Sequence, residues 1–243
     1  MGVILRVDVD NAYGWQTLEM KTLNYLRLNW WFPAIKKLGY LKFSDELLND
    51  LEARGIPAVF FFTKFTTPKN LESYEKYEVG AHLISARNYN DFLKELNQIS
   101  KKLHRKIQGF TKHGSGKLKL CRTHVPIYEP DKYIDWAQKA NLKYFLGNSE
   151  NPEEKQFFVG DVLVFPSAFW IHKNYRADKY TINWLAEESK HRDIVVLSHP
   201  HSWATNRQVR KDYEKIMDKI DKFTLLEASW RKKIDYEHKM RGE

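Results

Sequence analysis

At 243 residues, with 42% hydrophobic and 29% charged side chains, the chain has a globular composition and enough length to bury a sizeable core within one domain. Its single cysteine, Cys121, excludes an intramolecular disulfide and reads as a small buried hydrophobe, compatible with a reducing compartment. The net charge of +9 is interleaved with acids, as in Lys94-Glu95 and Glu187-Glu188-Ser189-Lys190, which describes solvated helix faces rather than a nucleic-acid site; an acidic or phosphorylated substrate suits the same charge.

Met1 leads directly into an apolar run too short and too early for a signal peptide, and Arg6 stands where a myristoylation motif needs Ser or Thr. No apolar stretch approaches the length of a membrane span. A soluble, cytoplasmic protein is expected.

In chain order, short apolar runs at 3–9, 56–62, 78–82, 143–146, 159–165, 194–198 and 223–227 alternate with amphipathic stretches at 44–54, 90–106, 131–141, 179–190 and 208–222. This alternation predicts a parallel sheet with helical crossovers. Ser44, followed by Asp45 and Glu46, is expected to cap the first of these helices and Gly55 to end it, while Pro130-Asp131 opens another. No linker, repeat or composition break divides the chain, so residues 1–243 read as one catalytic domain. Residues 17–38, with Trp30, Trp31 and Phe32 in a row, form a helical insertion. Its aromatics either pack on the core or serve as a lid or a homo-oligomer contact.

Four strand ends carry chemistry. The first run closes in Val7-Asp8-Val9-Asp10-Asn11, where a turn at the strand end is expected to bring both carboxylates to one pocket, one as metal ligand and the other as base. The run at 78–82 ends in Gly80-Ala81-His82. A short strand at 109–112 leads into His113-Gly114-Ser115-Gly116-Lys117, which is not a P-loop because Thr111 and Leu118 occupy positions that motif reserves for Gly and Ser or Thr. Arg122 and His124 follow. The run at 194–198 ends in Ser198-His199-Pro200-His201-Ser202-Trp203, with two imidazoles flanking a conformationally fixed proline. Asp and His at strand ends form the donor set of a mononuclear divalent-metal hydrolase, zinc being the expected ion.

These residues resemble the polysaccharide deacetylase family, the NodB-homology or carbohydrate esterase family 4 group. Val7-Asp8-Val9-Asp10 looks like its first motif, Ala58-Val59-Phe60-Phe61-Phe62 its second strand, Glu78-Val79-Gly80-Ala81-His82 its Glu-Ile-Gly-x-His motif, and Leu197-Ser198-His199-Pro200 its late histidine motif. The resemblance implies an α/β fold, a distorted (β/α) barrel of the NodB type. It also implies deacetylation of an N-acetylated sugar or related small amide, with Asp8 as base, Asp10 and His82 as metal ligands and His199 as general acid. Two features depart from the pattern. Ala86 occupies the place of a second ligand histidine, and the Arg-x-Pro-Tyr motif is missing. His113 is the expected replacement ligand, since it follows a strand and Gly114 and Gly116 let its backbone approach the pocket; His199 and His201 compete. Arg122, Trp170, His201 and Trp203 are candidate substrate contacts. Two other readings stay open: a catalytically inactive carbohydrate-binding protein on this scaffold, and a haloacid-dehalogenase-type phosphatase using Asp8 and Asp10.

Overall fold

The computed structural model describes residues 1–30, 32–114 and 119–241; Trp31 and the Ser115-Gly116-Lys117-Leu118 stretch lie outside them. Among the described residues, nine strands form one sheet in the order β6-β7-β5-β4-β3-β2-β1-β9-β8. They are β1 (Val3–Val9), β2 (Ala58–Phe62), β3 (Glu78–Leu83), β4 (Gly109–Lys112), β5 (Tyr144–Ser149), β6 (Phe157–Val159), β7 (Val162–Ser167), β8 (Phe169–Trp170) and β9 (Ile194–Ser198). Every pairing is parallel except the β6–β7 hairpin. In that hairpin, Gly160 takes a left-handed conformation with φ of +57°. β7 lies towards one edge of the sheet and β8 forms the other, yet only Ala168 separates them in sequence. One residue spans at most about 7 Å between its neighbours' Cα atoms, so the sheet is rolled until its two ends meet.

A period of two along each strand sorts side chains into two layers. Val3, Leu5, Val7 and Val9 face outward into the larger core with Phe60, Phe62, Phe110 and Phe145. Over them lie the helices α1 (Leu18–Asn29), α2 (Lys42–Arg54), α3 (Tyr89–Leu103), α4 (Pro130–Lys139), α5 (Ile182–His191), α6 (Pro200–Thr205) and α7 (Arg207–Lys219). Ile4 faces inward with Val59, Phe61, Leu146, Leu163, Val195 and Leu197. The last helix, α8 (Leu226–Arg241), contributes Leu226 to this inner cluster and closes the amino-terminal mouth of the barrel. Glu78 caps it: its two carboxylate oxygens accept the amides of Leu226 (2.9 Å) and Glu227 (2.8 Å). No helix among the described residues is long and apolar enough to cross a membrane.

Several sequence expectations change. The run at 223–227 is not a strand; Phe223 makes one isolated bridge to Val3 and the chain then enters α8. Ser44 does not cap α2, because Leu41, at φ of +57°, starts that helix and the Ser44 hydroxyl lies inside it, 3.0 Å from the Tyr74 hydroxyl. In the insertion, Thr17 caps α1 and Asn24 pins it by bonding the backbone of Tyr13 and Gly14. Phe32 packs edge-on to Tyr13, whereas Tyr25 and Trp30 remain exposed, so the segment both anchors to the core and presents aromatics to solvent. Cys121 is buried beside Leu28 and Ile84.

Gly80 faces inward between Glu78 and His82, in register with Phe61. A Cβ there would lie 2.3 Å from the Phe61 ring, over which the Arg6 guanidinium sits at 5.9 Å. Gly80→Ala is expected to lower the unfolding free energy by about 1–3 kcal/mol through overpacking; a denaturant midpoint equal to that of the parent chain would contradict this packing.

Candidate active site

The carboxyl end of the barrel is built from strand ends. Because strand side chains repeat every second residue, Arg6, Asp8 and Asp10 share the inward face of β1 with Ile4. No turn is needed to bring the two carboxylates together. They rise in steps towards the mouth, Arg6 and Asp8 fully buried and Asp10 at its edge. Arg6 grips Asp8 with two bonds, Nε to Oδ1 at 2.9 Å and Nη2 to Oδ2 at 2.6 Å. Two further guanidinium hydrogens reach β5, at the Gly147 carbonyl (2.7 Å) and the Asn148 side-chain oxygen (2.8 Å). Asn148 in turn donates to the Lys112 carbonyl at 2.6 Å.

Above this pair, Asp10, His82 and His113 converge. His82 Nε2 lies 3.0 Å from Asp10 Oδ1, His113 Nδ1 lies 3.3 Å from the same oxygen, and the two nitrogens are 3.0 Å apart. Donors bound tetrahedrally to one ion at about 2.0–2.1 Å stand about 3.3 Å from one another. The observed triangle is close to that spacing, and the three residues could hold a single metal ion. Asp10 Oδ1 supports the fit: it is buried, and among the described residues no donor is aligned for a hydrogen bond to it. Thr111, on the neighbouring strand, meets His82 Nδ1 at 2.5 Å through its hydroxyl; where that hydroxyl accepts the Nδ1 proton, the Nε2 lone pair faces the triangle. Ala86 is buried in the outer core and offers no donor.

The electrostatics follow from burial and neighbours. Burial raises the Asp8 carboxyl, but the Arg6 guanidinium and His82 lower it more, and it ends below the ordinary carboxylate value. Asp10 is likewise pushed up by burial, yet His113 and His199 hold it well below the usual range. Burial lowers His82 despite Asp8 and Asp10, keeping its imidazole neutral. His199 Nε2 stands 3.5 Å from Asp10 Oδ2, so the four strand ends that carry Asp10, His82, His113 and His199 meet at one mouth.

The candidate substrate contacts divide. Trp170 is half-buried, 5.9 Å from the His199 ring and 4.9 Å from Tyr175, with no partner for its indole N–H among the described residues. His201 lies 5.9 Å from His199, and burial holds it down to about 4. Both border the mouth. Trp203 does not; it is buried in the outer core, edge-on to Tyr213 and beneath Arg210 at 3.9 Å. Arg122 is exposed and stacks on Trp30 at 5.2 Å, its backbone held by Asn29. These placements reflect the faces on which the residues fall, which their types do not reveal. Conversely, no sequence motif marks Arg6, Thr111 or Asn148. Counting back by two from Asp8 would have found Arg6.

Removing Arg6 strands a buried carboxylate. Arg6→Leu is expected to destabilise the fold by about 3–5 kcal/mol, and Arg6→Leu/Asp8→Leu to recover most of it; a single variant within about 1 kcal/mol of the parent in urea unfolding would contradict the pairing. Because the folded-state values of Asp8 and Asp10 are depressed, the stability they contribute is complete above the ordinary carboxylate value of about 4 and is lost as pH falls below it.

No protein-family model matches the sequence, and none of the curated proteins is significantly similar to it. Solved structures do match. Puue allantoinase superposes at a TM-score of 0.61 with 8% identity, over 94% of this chain and 88% of that one. A probable polysaccharide deacetylase from Pseudomonas aeruginosa superposes at 0.55 with 10% identity, over 94% and 89%. Against a CE4-family pseudoenzyme from Bacillus anthracis the score is 0.49 at 13% identity, and this chain, matched over 94% of its length, spans 65% of that protein. The rolled sheet, its strand order and the first two of these superpositions agree: the chain has the distorted (β/α) barrel fold of the NodB-type polysaccharide deacetylases.

Proposed function

We propose that the chain is a divergent polysaccharide-deacetylase-type hydrolase that removes the acetyl group of an N-acetylated sugar or related amide with the help of one divalent metal ion, zinc by donor type. The observation that supports this reading is the donor triangle of Asp10, His82 and His113 at the barrel mouth, with His199 beside it. When bound, such an ion supplies an acidified water and polarises the scissile carbonyl. Asp10, His82 and His113 would hold it, His113 replacing the imidazole absent at Ala86. Asp8 remains a carboxylate at neutral pH and accepts the water's proton; each of its oxygens keeps a second lone pair beyond the bond from Arg6. His199 hands a proton to the departing amine. Trp170 and Tyr175 offer ring faces beside His199 for a sugar, and His201 borders the same space. A buried, unpaired Cys121 fits the proposed cytoplasmic setting.

One observation favours a second reading. Asp8 is fully buried, both of its oxygens are engaged by Arg6, and Oδ2 lies 3.5 Å from His82 Nδ1, the ring nitrogen turned away from the triangle. A carboxylate in that place orients a ligand histidine. The protein would then bind metal and carbohydrate without turning it over. The same enclosure disfavours Asp8 as the nucleophile of a phosphatase.

Asp8→Asn separates the two. As base, Asp8 is needed for turnover but not for the ion, so the variant keeps zinc affinity within a few fold and loses amide hydrolysis by about 100-fold or more. As an orienting group, its loss weakens zinc binding by about 10–100-fold. Asp10→Asn loses the metal under either reading. Zinc titration and release of acetate from N-acetylated oligosaccharides are the measurements, and retention of full zinc affinity by Asp10→Asn would overturn the metal site itself.

A further inference from the structure

Lys112, the last residue of β4, is fully buried on the outward face, opposite to Thr111. A buried ammonium is unfavourable unless its hydrogens are bound. The Glu95 carboxylate nearby is occupied by the amides of Ile84 and Ser85 and the Ser85 hydroxyl. Lys112 Nζ instead donates to two carbonyls, those of His113 at 2.9 Å and Val125 at 2.6 Å. Both residues belong to the segment that leads from β4 to α4.

The same two residues are fixed from the other side. The His113 amide donates to the Leu83 carbonyl (2.7 Å) and the Val125 amide to the Ile84 carbonyl (2.8 Å), on the segment that follows His82. Within the loop, His124 Nδ1 accepts the Leu120 amide at 2.7 Å, which puts its proton on Nε2, directed at the His113 carbonyl at 3.2 Å. The carbonyl of His113 is therefore held by two side chains, and its imidazole stands 3.0 Å from His82 Nε2. A methionine would fill the space of Lys112 without burying a charge, so what the lysine adds is the pair of hydrogen bonds that ties His113 to Val125.

We propose that Lys112 is a positioning residue for His113: by clasping the His113 and Val125 carbonyls it presents the His113 imidazole to Asp10 and His82, making up the donor set that Ala86 leaves incomplete. This rests on the reading of those three residues as metal donors. Asn148, which bonds both Arg6 and the Lys112 carbonyl, ties the clasp to the Arg6–Asp8 pair.

The test uses the full chain carrying Lys112→Met and two readouts. The first is amide hydrogen exchange without metal, in which the variant should exchange at His113 and Val125 at least 10-fold faster than the parent while β1 and β2 are unchanged. The second is titration with Co2+ followed by its visible absorption, in which affinity should fall by about 10–100-fold and the intense tetrahedral bands should weaken, as they should in His113→Ala. Parent-like exchange at both amides overturns the clasp; faster exchange with parent-like cobalt binding overturns its role towards His113. A parent chain that takes up no cobalt defeats the metal reading and with it the positioning role, and the exchange result shows separately whether the clasp exists. If Lys112→Met does not fold, His124→Phe, which removes the second donor to the same carbonyl, is expected to shift both readouts in the same direction by a smaller factor; no shift in either overturns the proposal.

Discussion

Inside a rolled, mostly apolar sheet, two carboxylates two residues apart on one strand cannot both stay charged without help, and Arg6 supplies it. Its guanidinium neutralises Asp8 with paired bonds and reaches β5 with two further hydrogens. This leaves Asp10, one step nearer the mouth, as the carboxylate facing the imidazoles. If Asp8 lacked its partner, burial would drive it towards protonation, and two acids this close would compete for the same cations. The arrangement of the mouth follows from that division.

β3 shows how one strand serves three ends. Its inward residues are Glu78, Gly80 and His82. Glu78 caps the helix that closes the far end of the barrel, Gly80 makes room for the Phe61 ring that underlies Arg6, and His82 enters the donor triangle. Stability at the base and geometry at the mouth are set by the same backbone, one turn of the pleat apart. The loop after β4 completes the mouth from the other side, where a buried lysine and a histidine hold the carbonyl of His113.

Much of this was legible in the sequence, for a physical reason. Polar residues that terminate apolar runs of a parallel sheet must lie at its carboxyl end, so Asp8, Asp10, His82, His113 and His199 could be assembled before any coordinates. Their convergence is what the structure displays. What stayed hidden depends on partners far away in sequence. No local pattern marks Arg6, Asn148 or Lys112, because their value lies in the bonds that Asn148 makes to the Arg6 side chain and the Lys112 carbonyl. Trp203 and Arg122 were judged by residue type, which says nothing of the face a side chain occupies. The start of α2 was misplaced and the 223–227 run was taken for a strand because tertiary packing, not local chemistry, decides them.

The central claim is that Asp10, His82 and His113 bind one metal ion. Crystals grown with zinc, with an anomalous-difference map calculated from data at the zinc edge, test it most directly. The account predicts a single strong peak within about 2.0–2.2 Å of Asp10 Oδ1, His82 Nε2 and His113 Nδ1. An empty triangle at saturating zinc, or an ion held by His199 and His201 with His113 turned away, would contradict it.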